Sequence, residues 1–232
     1  MASFRQTLVD LGATSLWTCQ EASGTLVDTI SGNNGTATGS PTYRNGSGGP
    51  TGAPYGILIG GTKGFTVPDA TALDLANQFS MIMVIRPTVD NSYTVLDKGA
   101  GAASGYKVVH SSSLLRLQTS NESNRHRQTT LDTTTSVAVY GFTWNGVTAQ
   151  DFQKDGTADG TNSATTAMTD NNVQLVIGAG GGADFELYTL ALFKSVVLSD
   201  ANHQTIYDAR NTADPSTNAS AENASASAAA EF

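Results

Sequence analysis

Phe79-Ser80-Met81-Ile82-Met83-Val84-Ile85-Arg86-Pro87 is the stretch that decides the fold. Phe79, Met81, Met83 and Ile85 fall on one alternating set, and Ile82 and Val84 on the other, so an extended segment here is apolar on both faces. Such a strand belongs in the middle of a layered structure, covered on each side.

Short apolar runs surround it at turn-separated intervals. Upstream lie Ile57-Leu58-Ile59 and Phe65-Thr66-Val67, the latter stopped by Pro68-Asp69, and Ser15-Leu16-Trp17-Thr18-Cys19 alternates like a first strand. Downstream, strands are predicted at 93–96, 106–110, 114–119, 137–144, 149–153, 173–177 and 185–193. So many short strands with little helix between them predict an all-β sandwich or barrel. The spacing of Phe4, Leu8 and Leu11 before Gly12 predicts a short N-terminal helical turn. Residues 199–209 open on Ser-Asp and space Ile206 and Tyr207 for a short C-terminal helix. The Gly- and Asn-rich segment 28–56 reads as loop with one short strand near 36–38.

The composition agrees. Of 232 residues, 24 are Gly and only 14% are charged, which suits a turn-rich β protein and excludes a helical bundle, while 39% hydrophobic content supplies one full core. The expected organisation is an N-terminal arm at 1–14, one domain at 15–210 and a tail at 211–232. That tail holds no Leu, Ile, Val, Met or Trp and reads as disordered on its own. Twelve Lys and Arg against 20 Asp and Glu give a net charge of −8, which argues against nucleic acid as a partner. The apolar runs are too short to span a bilayer. The N-terminus lacks the basic and apolar regions of a signal peptide, so Sec export is not expected.

Several motifs occur in a recognisable order. Asp28-Thr29-Ile30-Ser31-Gly32-Asn33-Asn34-Gly35-Thr36, Gly61 to Asp69 ending Val-Pro-Asp, the 79–87 strand, Leu96-Asp97-Lys98-Gly99, Val137-Ala138-Val139, Lys154-Asp155-Gly156 and Leu198-Ser199-Asp200-Ala201 resemble the laminin-G-like, concanavalin A-like jelly-roll family. The resemblance covers residues 16–209. It implies a two-sheet antiparallel jelly-roll sandwich. Two departures stand out: Thr135-Ser136 stand where Trp-His-His is often found before Val-Ala-Val, and the central strand lacks its usual Trp, with Val84 nearby instead. The layout is similar to that of bacteriophage virion proteins, which implies a decoration, tail or fibre component on the virion surface. Other virion subunits, a second copy of the chain or a cell-surface glycan are the implied partners. The fold also hosts lectins and hydrolases, so it does not decide function.

The residues show no catalytic pair. Glycan cleavage needs two converging carboxylates, and the nearest approach is Asp184-Phe185-Glu186, read as a turn Asp followed by an outward Glu. His110, His126 and His203 lie far apart in sequence, and no Gly-x-Ser-x-Gly is present. The domain is therefore expected to be non-enzymatic. Cys19 reads as a small buried hydrophobe. By resemblance, Asp28 and Asn33 are candidate calcium ligands, while their own pattern reads as a simple Asx-rich turn, which is the preferred reading. Arg125-His126-Arg127 is the one local basic cluster, a solvated hairpin tip or a grip for an acidic glycan or neighbouring subunit. Tyr106, Tyr140, Trp144 and Tyr188 are available for stacking on sugars, although Tyr140 and Trp144 share a strand face suited to the core. Gly178 to Gly182 reads as a hairpin loop rather than a phosphate cradle. Phe232, at the end of the Ala- and Ser-rich tail, is a candidate anchor into a partner.

Overall fold

The computed structural model describes residues 2–45, 48–99, 104–119, 125–127, 136–146, 150–162, 168–178 and 184–212. Helix α1 (Phe4–Asp10) is followed by strands β1 (Ser15–Trp17), β2 (Thr36–Thr38), β3 (Thr42–Asn45), β4 (Gly56–Gly60), β5 (Gly64–Val67), β6 (Phe79–Pro87) and β7 (Tyr93–Asp97). Then come β8 (Tyr106–Ser111), β9 (Leu114–Thr119), β10 (Arg125–Arg127), β11 (Ala138–Trp144), β12 (Gln150–Lys154), β13 (Thr157–Asn162), β14 (Leu175–Ile177), β15 (Asp184–Lys194) and helix α2 (Asp200–Ala209).

These strands build two antiparallel sheets. One runs β13-β12-β11-β6-β15-β4-β3, with β1 also paired to β15, and has eight strands; the other, of seven, runs β10-β9-β8-β7-β14-β5-β2. The architecture is a two-sheet jelly-roll sandwich with a short helix at each end of the chain.

The central strand explains the layering. In β6, Met83 lies opposite Tyr140 of β11 and Leu190 of β15. Phe79, Met81, Met83 and Ile85 face the core between the sheets, beside Phe65, Tyr106, Leu117, Phe142 and Leu192. Ile82 and Val84 point the other way into a second apolar cluster with Phe4, Leu8, Phe193 and Ile206. Helices α1 and α2 thus cover the outer face of the eight-stranded sheet, and the double-sided pattern of β6 is what that cover requires. Both helices begin on a capped serine. Ser3 accepts from the Gln6 N–H, and Ser199 and Asn202 cap each other reciprocally.

Some details depart from the expectations. The segment 28–56 holds β3 as well as β2, and β13 completes a hairpin with β12 that the polar Thr157-Ala158-Asp159-Gly160 run conceals. Strand β1 stops at Trp17, and two residues later Cys19 takes a left-handed φ of 55°. Strand β14 begins at Leu175, not at Val173. A bulge between Leu187 and Thr189 shifts the β15 register, so that Leu187 and Leu190 both reach the inter-sheet core.

Candidate functional site

The two outer faces of the sandwich differ. Apolar helices cover that of the eight-stranded sheet, whereas on the seven-stranded sheet the residues facing away from the core are mostly polar and half-exposed.

Register builds this second face. Thr36 pairs with Thr66, Thr66 with Val176, Val176 with Asp97, Asp97 with Lys107, Lys107 with Gln118, and Gln118 with Arg125. One residue from each of the seven strands thus forms a single row across the sheet. Neighbouring strands lie about 4.8 Å apart, so six gaps make a row of roughly 29 Å. A second, shorter row runs through Thr94, Val109, Arg116 and Arg127. Between them the alternate residues Val108 and Leu117 turn into the core. The row carries hydroxyls at its β2 and β5 end, where Thr38 and Thr66 hydroxyls lie 3.5 Å apart. Towards β10 it carries an amide and cations, and Lys107 and Asp97 form an ion pair at 3.6 Å. Hydroxyl, amide and charged groups repeated at strand spacing suit a polyhydroxylated ligand, which offers donors and acceptors at short intervals.

The predicted site residues are distributed as follows. Arg125 and Arg127 lie on β10, at the edge of the seven-stranded sheet, opposite Gln118 and Arg116. The expected solvated hairpin tip is therefore a paired strand at this point, because Arg125-His126-Arg127 completes the ladder of β9. Phe232 lies outside the described residues, as do 213–231 and 179–182 of the glycine run.

Asp28 is buried, and donors surround its carboxylate. Oδ1 accepts from the backbone N–H of Leu16, Ile30 and Ser31 at 3.0, 3.0 and 3.2 Å, and Oδ2 accepts from the Ser31 hydroxyl. The Asn33 carbonyl accepts from the Trp17 indole at 3.0 Å, and its amide donates to Ser31. These groups close an Asx turn and tie it to β1. A cation here would have to displace the donors that hold the turn. Among the described residues, no group of three or more His, Cys, Asp or Glu side chains could hold a metal ion.

Glu186 does not point outward to solvent as expected. It is buried; its Oε1 lies 2.5 Å from Arg86 Nη2, and its Oε2 accepts from the Tyr188 hydroxyl at 2.5 Å. The Glu186 hydrogen bond holds the Arg86 pKa above its ordinary value, while burial, then the Glu186 hydrogen bond and charge, push Tyr188 up. The cross-strand register that sets Glu186 opposite Arg86 is the reason. Tyr106, Tyr140, Trp144 and Tyr188 are all buried, so none offers a stacking platform. Cys19 is a buried thiol held well above its ordinary pKa by burial and then by Glu21. The three histidines do not converge: His110 stacks on Tyr93, His126 lies on β10, and His203 is buried beneath α2.

Sequence reasoning missed one polar centre. Lys98 is fully buried, and its ammonium meets Asp69 Oδ1 at 2.7 Å, Val173 O at 2.8 Å, and Asn171 O and Oδ1 at 3.1 and 3.2 Å. Asp74 Oδ1 also lies 3.2 Å away, as a charge neighbour rather than an aligned hydrogen bond. The only available signal was the Asp97-Lys98-Gly99 motif. The centre clasps three loops and is structural. A recess of about 260 Å³ lies on the helix-covered face between Gly48–Pro50, Val84, Val139 and Arg210. Its one charged side chain, Arg210, is stacked on Tyr207.

The fold defines a two-sheet jelly-roll domain with one face covered by helices and one polar face. No protein-family model matches the sequence, and no curated protein matches it. Solved structures do. The binding domain of botulinum neurotoxin DC in complex with SialylT is similar at 15% identity and a TM-score of 0.65, over 87% of this chain and 52% of that one. Domain 4 of AbnA, a GH43 extracellular arabinanase from Geobacillus stearothermophilus, in complex with arabinotriose, is similar at 15% identity and a TM-score of 0.66, over 84% of this chain and 98% of that domain. The binding domain of botulinum neurotoxin DC in complex with rat synaptotagmin II is similar at 14% identity and a TM-score of 0.65, over 85% and 51%. The chain spans about half the length of these toxin domains. At such identities the likeness is one of fold.

Proposed function

We propose that this domain is a non-catalytic binding module that recognises a glycan on the polar face of the seven-stranded sheet. The observation that carries the reading is the continuous row from Thr36 to Gln118, one residue per strand, on the outer face that α1 and α2 do not cover, exposed or half-exposed from Thr36 to Lys107 and buried at Gln118. The similar arabinanase domain was solved with arabinotriose and a similar toxin domain with SialylT, which supports a glycan as ligand. The absence of a catalytic step is supported by Glu186, whose carboxylate is committed to Arg86 and Tyr188.

The virion surface expected from the sequence resemblance would be a setting for such a module rather than a rival to it. None of the similar structures named above is a virion protein. A similar toxin domain was solved in complex with rat synaptotagmin II, which supports a protein as the second candidate class of partner.

The test is a glycan array with the intact chain and with a Thr66→Trp variant, first shown to melt like the parent, that obstructs the row at a half-exposed position. Binding by the intact chain that the variant loses supports the reading. Failure to retain any glycan overturns it, and release of reducing sugar would replace it with an enzyme.

A further inference from the structure

We propose that Lys98 is a tethered replacement for a divalent cation. Its ammonium fills an oxygen cage of the kind that binds calcium, and the chain thereby joins three loops without a metal.

The first observation is the make-up of the cage. Asp69 Oδ1, Val173 O, Asn171 O, Asn171 Oδ1 and Asp74 Oδ1 surround the nitrogen at 2.7, 2.8, 3.1, 3.2 and 3.2 Å. All are oxygens, drawn from two carboxylates, two main-chain carbonyls and one amide, which is the ligand set of a hard cation. The carboxylates carry two negative charges against the single positive charge of the ammonium, so a divalent ion would balance them.

The second is a mismatch of number. An ammonium has only three N–H groups to give, fewer than the oxygens around it. Asp74 Oδ1 is the one left over: it is buried, close to the charge, and makes no hydrogen bond. A spherical ion has no such limit, and calcium takes about six to eight oxygens.

The third is that the cage has supports of its own. Asn171 Nδ2 donates to the Lys98 carbonyl at 2.9 Å, and Asn171 Oδ1 accepts from the Val173 N–H at 3.1 Å. The Tyr106 hydroxyl donates to Leu73 O at 3.1 Å and ties down the loop that carries Asp74. None of these bonds involves the ammonium. A void of about 10 Å³ lined by Asp74, Lys98 and Asn171 has the size of one further ligand oxygen. Asp69 is partly exposed, which gives an ion a path in.

Size selects the ion. Calcium–oxygen distances are about 2.3–2.6 Å, so the loops would close by roughly half an ångström. Magnesium, at about 2.0–2.1 Å and strictly octahedral, would demand more.

The experiment compares the full-length parent with Lys98→Ala and Lys98→Met, each stripped with EDTA and then given calcium chloride or magnesium chloride. The parent should melt alike in all three conditions. Lys98→Ala should melt low in EDTA and rise by about 5 °C or more at saturating calcium, with a smaller rise in magnesium. Calorimetric titration of Lys98→Ala with calcium should show a binding step that the parent lacks. Lys98→Met, whose side chain takes up the place of the ion, and the double variant Lys98→Ala/Asp74→Asn should lose most of the rise. If Lys98→Ala is unfolded in EDTA, recovery of its β-sheet circular dichroism on adding calcium is the equivalent result. A Lys98→Ala chain that gains nothing from calcium, folded or unfolded, overturns the proposal. An equal gain in Lys98→Met or in the double variant would place the ion elsewhere and overturns it too.

Discussion

The Nε2 of His203 lies 3.1 Å from the Oγ1 of Thr143, and this contact seats the last helix on the middle of the eight-stranded sheet. The network continues to Ser80, whose hydroxyl lies 3.2 Å from that of Thr143, donates to the Val196 carbonyl and accepts from the Leu198 N–H. With the Ser80 proton given to Val196, Thr143 donates to Ser80 and His203 donates to Thr143 from a protonated Nε2, which the neutral Nε2–H tautomer supplies. Burial lowers the His203 pKa to about 4, against the opposing charge of Asp200.

Stability therefore depends on pH through this residue. Well above pH 6.5 the imidazole is neutral both folded and unfolded. As pH falls towards 4 the unfolded chain binds a proton that the folded one refuses, so stability is lost across that window, by on the order of 3 kcal/mol. Asp151, raised by burial and then by Asp200, acts in the opposite sense at its acidic end. Urea unfolding between pH 7 and pH 4.5, compared with His203→Gln, isolates the histidine. An equal slope in parent and variant contradicts the assignment.

Gly141 is the floor beneath that ring. A Cβ built there would lie 2.4 Å from His203 Cε1 and Nδ1. Gly141→Ala should destabilise by about 1–3 kcal/mol through overpacking, and backbone amide exchange in α2 should rise more than in β8 or β9. A uniform rise would place the strain elsewhere.

Lys98→Met should be severe. It removes the cation that Asp69 and Asp74 share, with its other contacts to Asn171 and Val173. Breaking a buried pair from one side commonly costs about 3–5 kcal/mol, moderated here because Asp69 is partly exposed. The double variant Lys98→Met/Asp74→Asn should regain part of the lost melting temperature. A single variant that melts like the parent would show that the clasp contributes nothing.

Asp28→Ala should lower stability by about 3 kcal/mol, since a charged acceptor of several hydrogen bonds is lost and buried N–H groups are stranded. Calcium should not raise the melting temperature of the parent chain, because the donors around Asp28 occupy the place of a cation. A calcium-dependent rise that Asp28→Ala abolishes would reverse this reading.

Much of this fold follows from local pattern. The two apolar sets of β6 require cover on both faces, and the run of short strands requires a sandwich or barrel. The Ser-Asp start at 199 and 200 marks the last helix, because these signals depend only on alternation and on capping chemistry. The polar face was not legible in the same way. Thr66, Val176, Asp97, Lys107, Gln118 and Arg125 are scattered over most of the domain, and only the pairing register sets them in one row. The same holds for burial of charge. Glu186 reads as an exposed carboxylate until β15 places it against Arg86 of β6, one hundred residues earlier. Lys98 stands in the sequence only as part of the 96–99 motif, and its burial comes from the loops at 69–74 and 171–173 that close over it. Side-chain alternation is a property of neighbours in the chain, which the sequence determines by itself. Which charges meet is a property of strand order and register, and only the tertiary structure decides it.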